Sequence, residues 1–224
     1  MNKATRQKAD KLYLFLAALF ITALIVCNLI ANKFVSVDLG FKVFTLSAGV
    51  LPYPITFLIT DILSEIYGRK KTNQVVMMGF SALIFTLFIL WLGSVFPSIE
   101  DSPVSDELFQ QAFGNSWRVI MSSMVAYLIA QLVDVRLFHF WKGLTGGKHL
   151  WLRNNASTIV SQLVDTTLVV MVLFAGSLEM SIIGSYIFDG WTFKALTALA
   201  DTPILYFSTW LIRRQLKLKF GQEV

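Results

Sequence analysis

Residues 126–166, AYLIAQLVDVRLFHFWKGLTGGKHLWLRNNASTIVSQLVDT, decide how this chain folds. Two mostly apolar segments flank a glycine-rich connection at 143–147, and each carries the tetrapeptide Gln-Leu-Val-Asp, at 131–134 and again at 162–165. Residues three apart lie on the same face of an α-helix, so the amide and the carboxylate of each tetrapeptide project together. The pattern predicts two antiparallel transmembrane helices that present paired Gln and Asp side chains to a common cavity.

The remainder of the chain continues this pattern. Its 224 residues are 55% hydrophobic, more than is usual for a soluble domain. A helix needs about 20 predominantly apolar residues to cross a bilayer. The sequence therefore predicts an all-α, polytopic membrane protein, with residues 1–224 forming a single six-helix transmembrane domain. The predicted spans are roughly 12–31, 46–67, 75–96, 118–140, 157–175 and 190–212, and a short helix is expected in the polar loop near 97–117.

Basic residues mark alternate connections between these spans. Lysine and arginine in short loops cluster on the cytoplasmic side of a membrane. Among basic residues, the odd-numbered connections hold only Lys33 and Lys42. We therefore predict that both termini lie in the cytoplasm, and the net charge of +5 does not indicate a nucleic-acid partner. The basic residues on the predicted cytoplasmic side are Lys3, Arg6, Lys8, Lys11, Arg69, Lys70, Lys71, Lys142, Lys148, Arg153, Arg213, Arg214, Lys217 and Lys219.

Carboxylates interrupt the apolar segments. An ionisable side chain within a membrane costs several kcal/mol unless it faces the protein interior or a water-filled cavity. Asn154 and Asn155 are typical N-cap residues ahead of the fifth span, and they predict its start. With that start, Asp61, Asp134 and Asp165 fall in one layer between the midplane and the cytoplasmic face. The sequence predicts a shared polar site in this half of the bundle. The acids are Asp61, Glu65, Asp134, Asp165 and Asp201.

Simpler roles for these polar residues stay open. Interhelical hydrogen bonds could account for the Gln-Asp pairs, although such bonds contribute only about 0.6–2 kcal/mol in membranes. Glu65 could be an interfacial residue capped by Arg69. Lys194 is a candidate counter-charge for Asp201, yet seven residues separate them by about 10 Å along one helix. Asn28 could line an entrance or cap the first helix.

Enzymatic signatures are missing from the sequence. His139 and His149 are the only histidines, and they lack a metal-ligand spacing. The chain contains no P-loop and no G-x-S-x-G motif, and Cys27 is its only cysteine. We therefore expect no enzymatic activity, no cofactor and no metal site, and transport or binding is the favoured class.

Three segments resemble the queuosine precursor transporter family, also called the vitamin uptake transporter family. They are ITDILSEIYGRKK at 59–71, the whole of 126–166, and KALTALADTP at 194–203. The resemblance implies a multi-pass inner-membrane importer of 7-cyano-7-deazaguanine or 7-aminomethyl-7-deazaguanine for queuosine biosynthesis. The family's polar positions correspond to Asp61, Glu65, Gln131, Asp134, Arg153, Asn154, Ser157, Gln162, Asp165 and Lys194.

A deazaguanine suits the predicted site chemically. One edge of its ring presents two donors, N1–H and the 2-amino group, beside an acceptor oxygen, and carboxylate and amide side chains complement that edge. Aromatic residues such as Phe57 or Tyr127 could stack on its face. The candidate substrate-binding residues are Gln131, Asp134, Gln162, Asp165, Asp61 and Glu65, and the candidate gating or counter-charge residues are Lys194, Asp201, Asn28 and Arg153.

The mode of transport has two readings. The favoured one is a secondary carrier, driven by protons or by consumption of the substrate inside the cell. The alternative is a substrate-binding membrane subunit that works with a separate ATPase module. The preferred precursor, the driving ion and the formation of a homodimer are left open by the sequence.

Overall fold

The structure, a computed structural model, describes residues 3–31, 33–40, 42–114, 117–176, 178–219 and 222–224, and only the backbone at 34, 45, 117–122 and 173. Six helices and one hairpin of strands make up the described part of the chain. In chain order they are α1 (Lys3–Leu29), β1 (Phe34–Asp38), β2 (Val43–Ser47), a 3₁₀ turn (Ala48–Val50), α2 (Tyr53–Val95), α3 (Asp106–Phe113), α4 (Trp117–Leu144), α5 (Leu150–Phe174) and α6 (Met180–Leu216).

Five helical segments in the described ranges are long and apolar enough to cross a membrane. One of them, at Ala48–Val95, contains both the second and the third predicted spans. The all-α membrane architecture is therefore confirmed. The count of six crossings and the side on which the termini lie stay predictions.

Helix α2 is interrupted at Gly68. Its backbone there has φ 78° and ψ 169°, a region that is essentially restricted to glycine. A Cβ atom at this position would also collide with the carboxylate of Glu223. The sequence places Gly68 directly before the basic residues 69–71, where the second span was predicted to end.

Contacts with α1 show that the chain reverses direction at this glycine. Along α2 up to Gly68, the neighbouring residues of α1 have decreasing residue numbers. After Gly68, the neighbouring residues of α1 have increasing residue numbers. The two halves of α2 are therefore antiparallel neighbours. Tyr53 and Cys27 line the same cavity, and the neighbouring pairs that follow along α2 are Tyr67 with Ala9, Lys71 with Tyr13, and Gly79 with Phe20 and Leu24.

The predicted start of the fifth helix was wrong. Helix α5 begins at Leu150, after His149 in a left-handed conformation. Asn154 and Asn155 are buried inside the helix and do not cap it. The amide of Asn155 donates to the carbonyl oxygen of Trp151 at 2.8 Å and to the hydroxyl of Thr202 at 2.8 Å. Asn155 therefore ties α5 to α6.

Two elements lie outside the long helices. Strands β1 and β2 form an antiparallel hairpin in which Phe34 pairs with Ser47, and the sequence analysis did not predict it. Helix α3 is the short helix expected near 97–117. Ser105 caps α3 by accepting a hydrogen bond from the backbone N–H of Leu108 at 3.3 Å. A hydrogen bond with Ser105 also lowers the pKa of the exposed Glu107 carboxyl.

Candidate functional site

A cavity of about 410 Å³ lies where the far end of α1 meets the start of α2, the 3₁₀ turn, α4, α5 and α6. This volume falls within the range of typical small-molecule sites. Most of its lining is apolar, with a few polar groups. The polar and aromatic lining residues are Asn28, Ser47, Tyr53, Thr86, Phe113, Ser123, Tyr127, Asp165 and Lys194.

An ion pair between α5 and α6 lies in the wall of this large cavity. The ammonium of Lys194 lies 2.6 Å from Oδ2 of Asp165, and the residues are 9% and 3% exposed. The ammonium also lies 4.9 Å from the ring centre of Tyr53, a cation–π contact. Lys194 is thus paired with Asp165, across two helices, and not with Asp201 along its own helix.

A second, small cavity lies beside the first. Its volume of about 20 Å³ is close to that needed for one water molecule. Tyr53 and Lys194 line both cavities, so these two side chains form the boundary between them. The other polar residues of the small cavity are Asp61, Asn154, Thr158, Gln162, Thr197 and Asp201.

The carboxyl groups of Asp61 on α2 and Asp134 on α4 lie close enough to interact electrostatically. They are 1% and 0% exposed. Oδ1 of Asp134 accepts a hydrogen bond from the hydroxyl of Ser161 at 2.9 Å. Neither oxygen of Asp61 accepts a hydrogen bond from any donor in the described part of the chain. The hydroxyls of Ser157 and Thr158 also interact with Asp134. The pair therefore brings two acidic groups together, and hydroxyl donors surround only Asp134.

The two glutamines of the repeated tetrapeptide have different surroundings. Gln131 accepts a hydrogen bond from the hydroxyl of Thr60 at 3.3 Å, and its side chain also interacts with Tyr127. Gln162 lines the small cavity, and its Oε1 lacks a hydrogen-bond partner in the described ranges. Only Gln162 is thus in position to meet a molecule in a cavity.

Glu65 lies in a cluster of cations near the chain reversal. Its Oε2 is 2.6 Å from Nη2 of Arg153, and its Oε1 is 2.6 Å from Nη2 of Arg213. Lys142 is 3.6 Å away from the same carboxylate. Glu65 and Arg153 are almost completely buried. The carboxylate thus links α2 with α4, α5 and α6, and Arg69 is not its ion-pair partner.

The end of the chain covers this cationic cluster. Glu223 pairs with Lys142 at 2.8 Å, and the backbone N–H of Val224 donates to the carbonyl oxygen of Ile66 at 2.9 Å. Because α2 reverses two residues after Ile66, that carbonyl cannot join a continuous helix. The cluster and the covering residues close the bundle at the end opposite to the large cavity.

Depth along the helices separates the predicted acids. Asp61 lies seven residues before Gly68 and Asp134 ten residues before Leu144, the end of α4, and these two meet. Asp165 lies fifteen residues after Leu150 and nine before Phe174, or about 14 Å from the latter at 1.5 Å per residue. The expected single layer of three acids is therefore wrong, because α5 begins seven residues earlier than predicted. The large cavity lies in the half predicted to be external.

The candidate residues thus fall into three groups in the structure. Asp165, Lys194 and Asn28 line the large cavity, and Asn28 also donates to the carbonyl oxygen of Leu24 at 2.9 Å. Asp61, Gln162 and Asp201 line the small cavity. The remaining four, which line neither of these two cavities, are Gln131, Asp134, Glu65 and Arg153.

Sequence reasoning missed several residues that complete the site. Tyr53 contacts both Lys194 and the Asp165 carboxylate, and nothing in its local sequence distinguishes it from an interfacial tyrosine. Thr158 and Ser161 do carry a signal. With Asn154, Gln162 and Asp165 they recur at spacings of three or four, which places a polar stripe along one face of α5.

Comparison with known proteins identifies the family. A family model described as "Putative vitamin uptake transporter" matches residues 47–208, most of the chain. The chain belongs to this family. The matched segment includes every lining residue of both cavities except those before residue 47.

Three curated proteins are similar to the chain. A probable queuosine precursor transporter of Bacillus subtilis is 29% identical over 163 residues, which are 72% of this chain and 71% of that protein. A protein of the same description from Haemophilus influenzae is 28% identical, over 58% of this chain and 53% of its own length. A queuosine precursor transporter of Escherichia coli is 26% identical, over 61% and 58%. No solved structure matches the chain.

Proposed function

We propose that this chain imports queuosine precursors, 7-cyano-7-deazaguanine or its aminomethyl form, across the inner membrane as a secondary carrier. The names of its relatives support the substrate class. The observation that carries the proposal is the buried Asp165–Lys194 pair in the wall of a ligand-sized cavity. Few groups in a membrane protein are buried, charged and accessible to a ligand at once.

The Asp165–Lys194 pair complements the edge of a deazaguanine. The carboxylate of Asp165 accepts from N1–H and the 2-amino group, and the ammonium of Lys194 donates to the neighbouring carbonyl oxygen. The rings of Tyr53 and Tyr127, whose centres are 5.9 Å apart, lie in the same cavity wall for contact with the flat ring. Gln162 then contributes through the small cavity, next to the ion pair.

The proposed orientation places the large cavity on the outside. The basic connections support cytoplasmic termini, so the far end of α1, at Asn28, faces the external medium. The cluster around Glu65 closes the opposite end. In this proposal the structure is an outward-open state, and release into the cytoplasm requires the ion pairs of Glu65 to separate.

Uptake by the purified chain in liposomes tests the proposal. Labelled 7-cyano-7-deazaguanine should accumulate without any ATPase, and Asp165→Asn and Lys194→Met should each reduce the uptake rate at least tenfold. Glu100→Gln, an exposed acid outside the helices, is the matched control. Normal accumulation by Asp165→Asn would show that the site is wrongly assigned. Uptake that appears only with an added ATPase module would favour the membrane-subunit alternative.

A further inference from the structure

The acids of the bundle differ in how their charge is balanced. Glu65 has three cations within 3.6 Å, and Asp165 has Lys194 at 2.6 Å. Asp61 and Asp134 have each other, and neither forms an ion pair with a cation in the described ranges. Two buried carboxylates in contact cannot both be ionised without a large energetic penalty. The pair therefore needs a positive charge that the surrounding helices do not supply.

The charged groups around this pair do not supply the missing positive charge. Arg153 on α5 is a nearby cation, but its guanidinium is bound to Glu65 at 2.6 Å and to the carbonyl oxygen of Gly147 at 2.6 Å. Glu65 lies one turn away on α2 and adds negative charge. From α6, Lys194 and Asp201 line the small cavity with Asp61, and Lys194 is bound to Asp165.

A separate observation indicates that the small cavity has a free acceptor for a hydrogen-bond donor. Gln162, which is 2% exposed, lines this cavity, and its Oε1 has no hydrogen-bond partner among the described residues. The cavity has room for about one water, and Asp61 is in its wall. A water molecule in this cavity would lie beside Asp61 and beside Tyr53 and Lys194, which also line the large cavity. It would offer a path for a proton from the large cavity to Asp61.

We propose that Asp61 and Asp134 bind the proton that is transported together with the substrate, an inference that rests on the proposed import function. The bound proton joins the two carboxyls in one hydrogen bond between α2 and α4. Without the proton, two negative charges repel each other across the same interface. Closure around the substrate then needs both the substrate and the proton. When the cytoplasmic end opens, the proton leaves the pair and enters the cytoplasm, and no covalent bond of the substrate changes.

The direct test measures protons with the unchanged protein. Liposomes that contain the full chain and a trapped pH-sensitive dye receive external 7-cyano-7-deazaguanine, without sodium. We expect the interior to acidify as substrate enters, and an inward gradient of one pH unit should raise accumulation up to about tenfold at one proton per substrate. Substrate entry without acidification would overturn the proton site. So would uptake that follows a sodium gradient and ignores the pH gradient.

Two variants assign the proton to this pair. The amides of Asp61→Asn and Asp134→Asn resemble a protonated carboxyl, so these variants should exchange internal for external substrate but lose the stimulation by the pH gradient. Asp101→Asn, at an exposed position, should keep both activities. Retained stimulation in Asp61→Asn would overturn the assignment. If the unchanged protein neither accumulates nor exchanges substrate, the import function itself fails, whereas exchange without proton movement rejects the proton site alone.

Discussion

Neutralising Glu65 should weaken the whole helix bundle. Glu65→Gln removes the negative charge that Arg153 and Arg213 contact at 2.6 Å. Arg153 is 0% exposed, so its guanidinium would remain buried without a counter-charge. Breaking a buried pair in this way costs about 3–5 kcal/mol. At about 2–4 °C per kcal/mol for a chain of this size, Tm should fall by roughly 10 °C.

Thermal unfolding of the purified protein in detergent measures this loss. Glu223→Gln is the matched control, because it also removes a carboxylate from Lys142 but at a side chain that is 42% exposed. Exposed pairs contribute about 1 kcal/mol or less, so this variant should melt within a few degrees of the unchanged chain.

A double variant separates lost pairing from lost packing. Glu65→Gln combined with Arg153→Gln removes both members of the pair, so its loss should be smaller than the sum of the two single losses. The reasoning is refuted if Glu65→Gln melts no lower than Glu223→Gln. It is refuted as well if the two single losses add without any coupling.

Three further predictions follow from individual residues. Gly68→Ala should destabilise the protein by about 1–3 kcal/mol, because a side chain is strained at φ 78° and ψ 169°. Gly143→Ala is the control: an added Cβ there meets open space, so it should have little effect in the same melting assay. Equal melting temperatures of the two variants would contradict the described reversal. Lys194→Met should abolish binding of 7-cyano-7-deazaguanine, measured by calorimetry. Lys42→Met, which breaks an exposed ion pair, should preserve binding. Unchanged affinity in Lys194→Met would remove this lysine from the site. Cys27, the only cysteine, lines the large cavity and is 4% exposed. A membrane-impermeant thiol reagent should therefore modify it slowly from outside, and more slowly when substrate is bound, with Cys27→Ala as the blank. Faster modification from the cytoplasmic side would reverse the proposed orientation.

The sequence predicted the membrane helices and their polar residues but not the partners of those residues. The two copies of Gln-Leu-Val-Asp show why. Spacing alone places Gln and Asp on one face in each copy, and this does not reveal which helix covers that face. In the structure Asp134 meets Asp61 on α2, whereas Asp165 meets Lys194 on α6. Identical local sequences therefore acquire different chemistry from different tertiary neighbours.

Local signals also competed with tertiary ones at the start of α5. Asparagine is a good N-cap because its side chain replaces a missing backbone partner. Asn155 uses the same capacity between helices, where it bonds to Thr202. Sequence alone cannot separate these uses, and the resulting shift of the helix start moved Asp165 out of the predicted layer.

The single-residue reversal at Gly68 has a mechanical consequence. Since no loop separates its halves, α2 would move as one stiff body with α1. The polar contacts that tie this body to α4, α5 and α6 are replaceable ones, and each can be exchanged for a bond to water, a proton or a ligand. They include Thr60 with Gln131, Asp61 with Asp134, Glu65 with Lys142, Arg153 and Arg213, and Tyr53 with Lys194 and Asp165. Sliding of α1 and α2 against α4, α5 and α6 would therefore depend on the ionisation of these side chains and on the ligand bound between them. The apolar interior of either part would be disturbed only later.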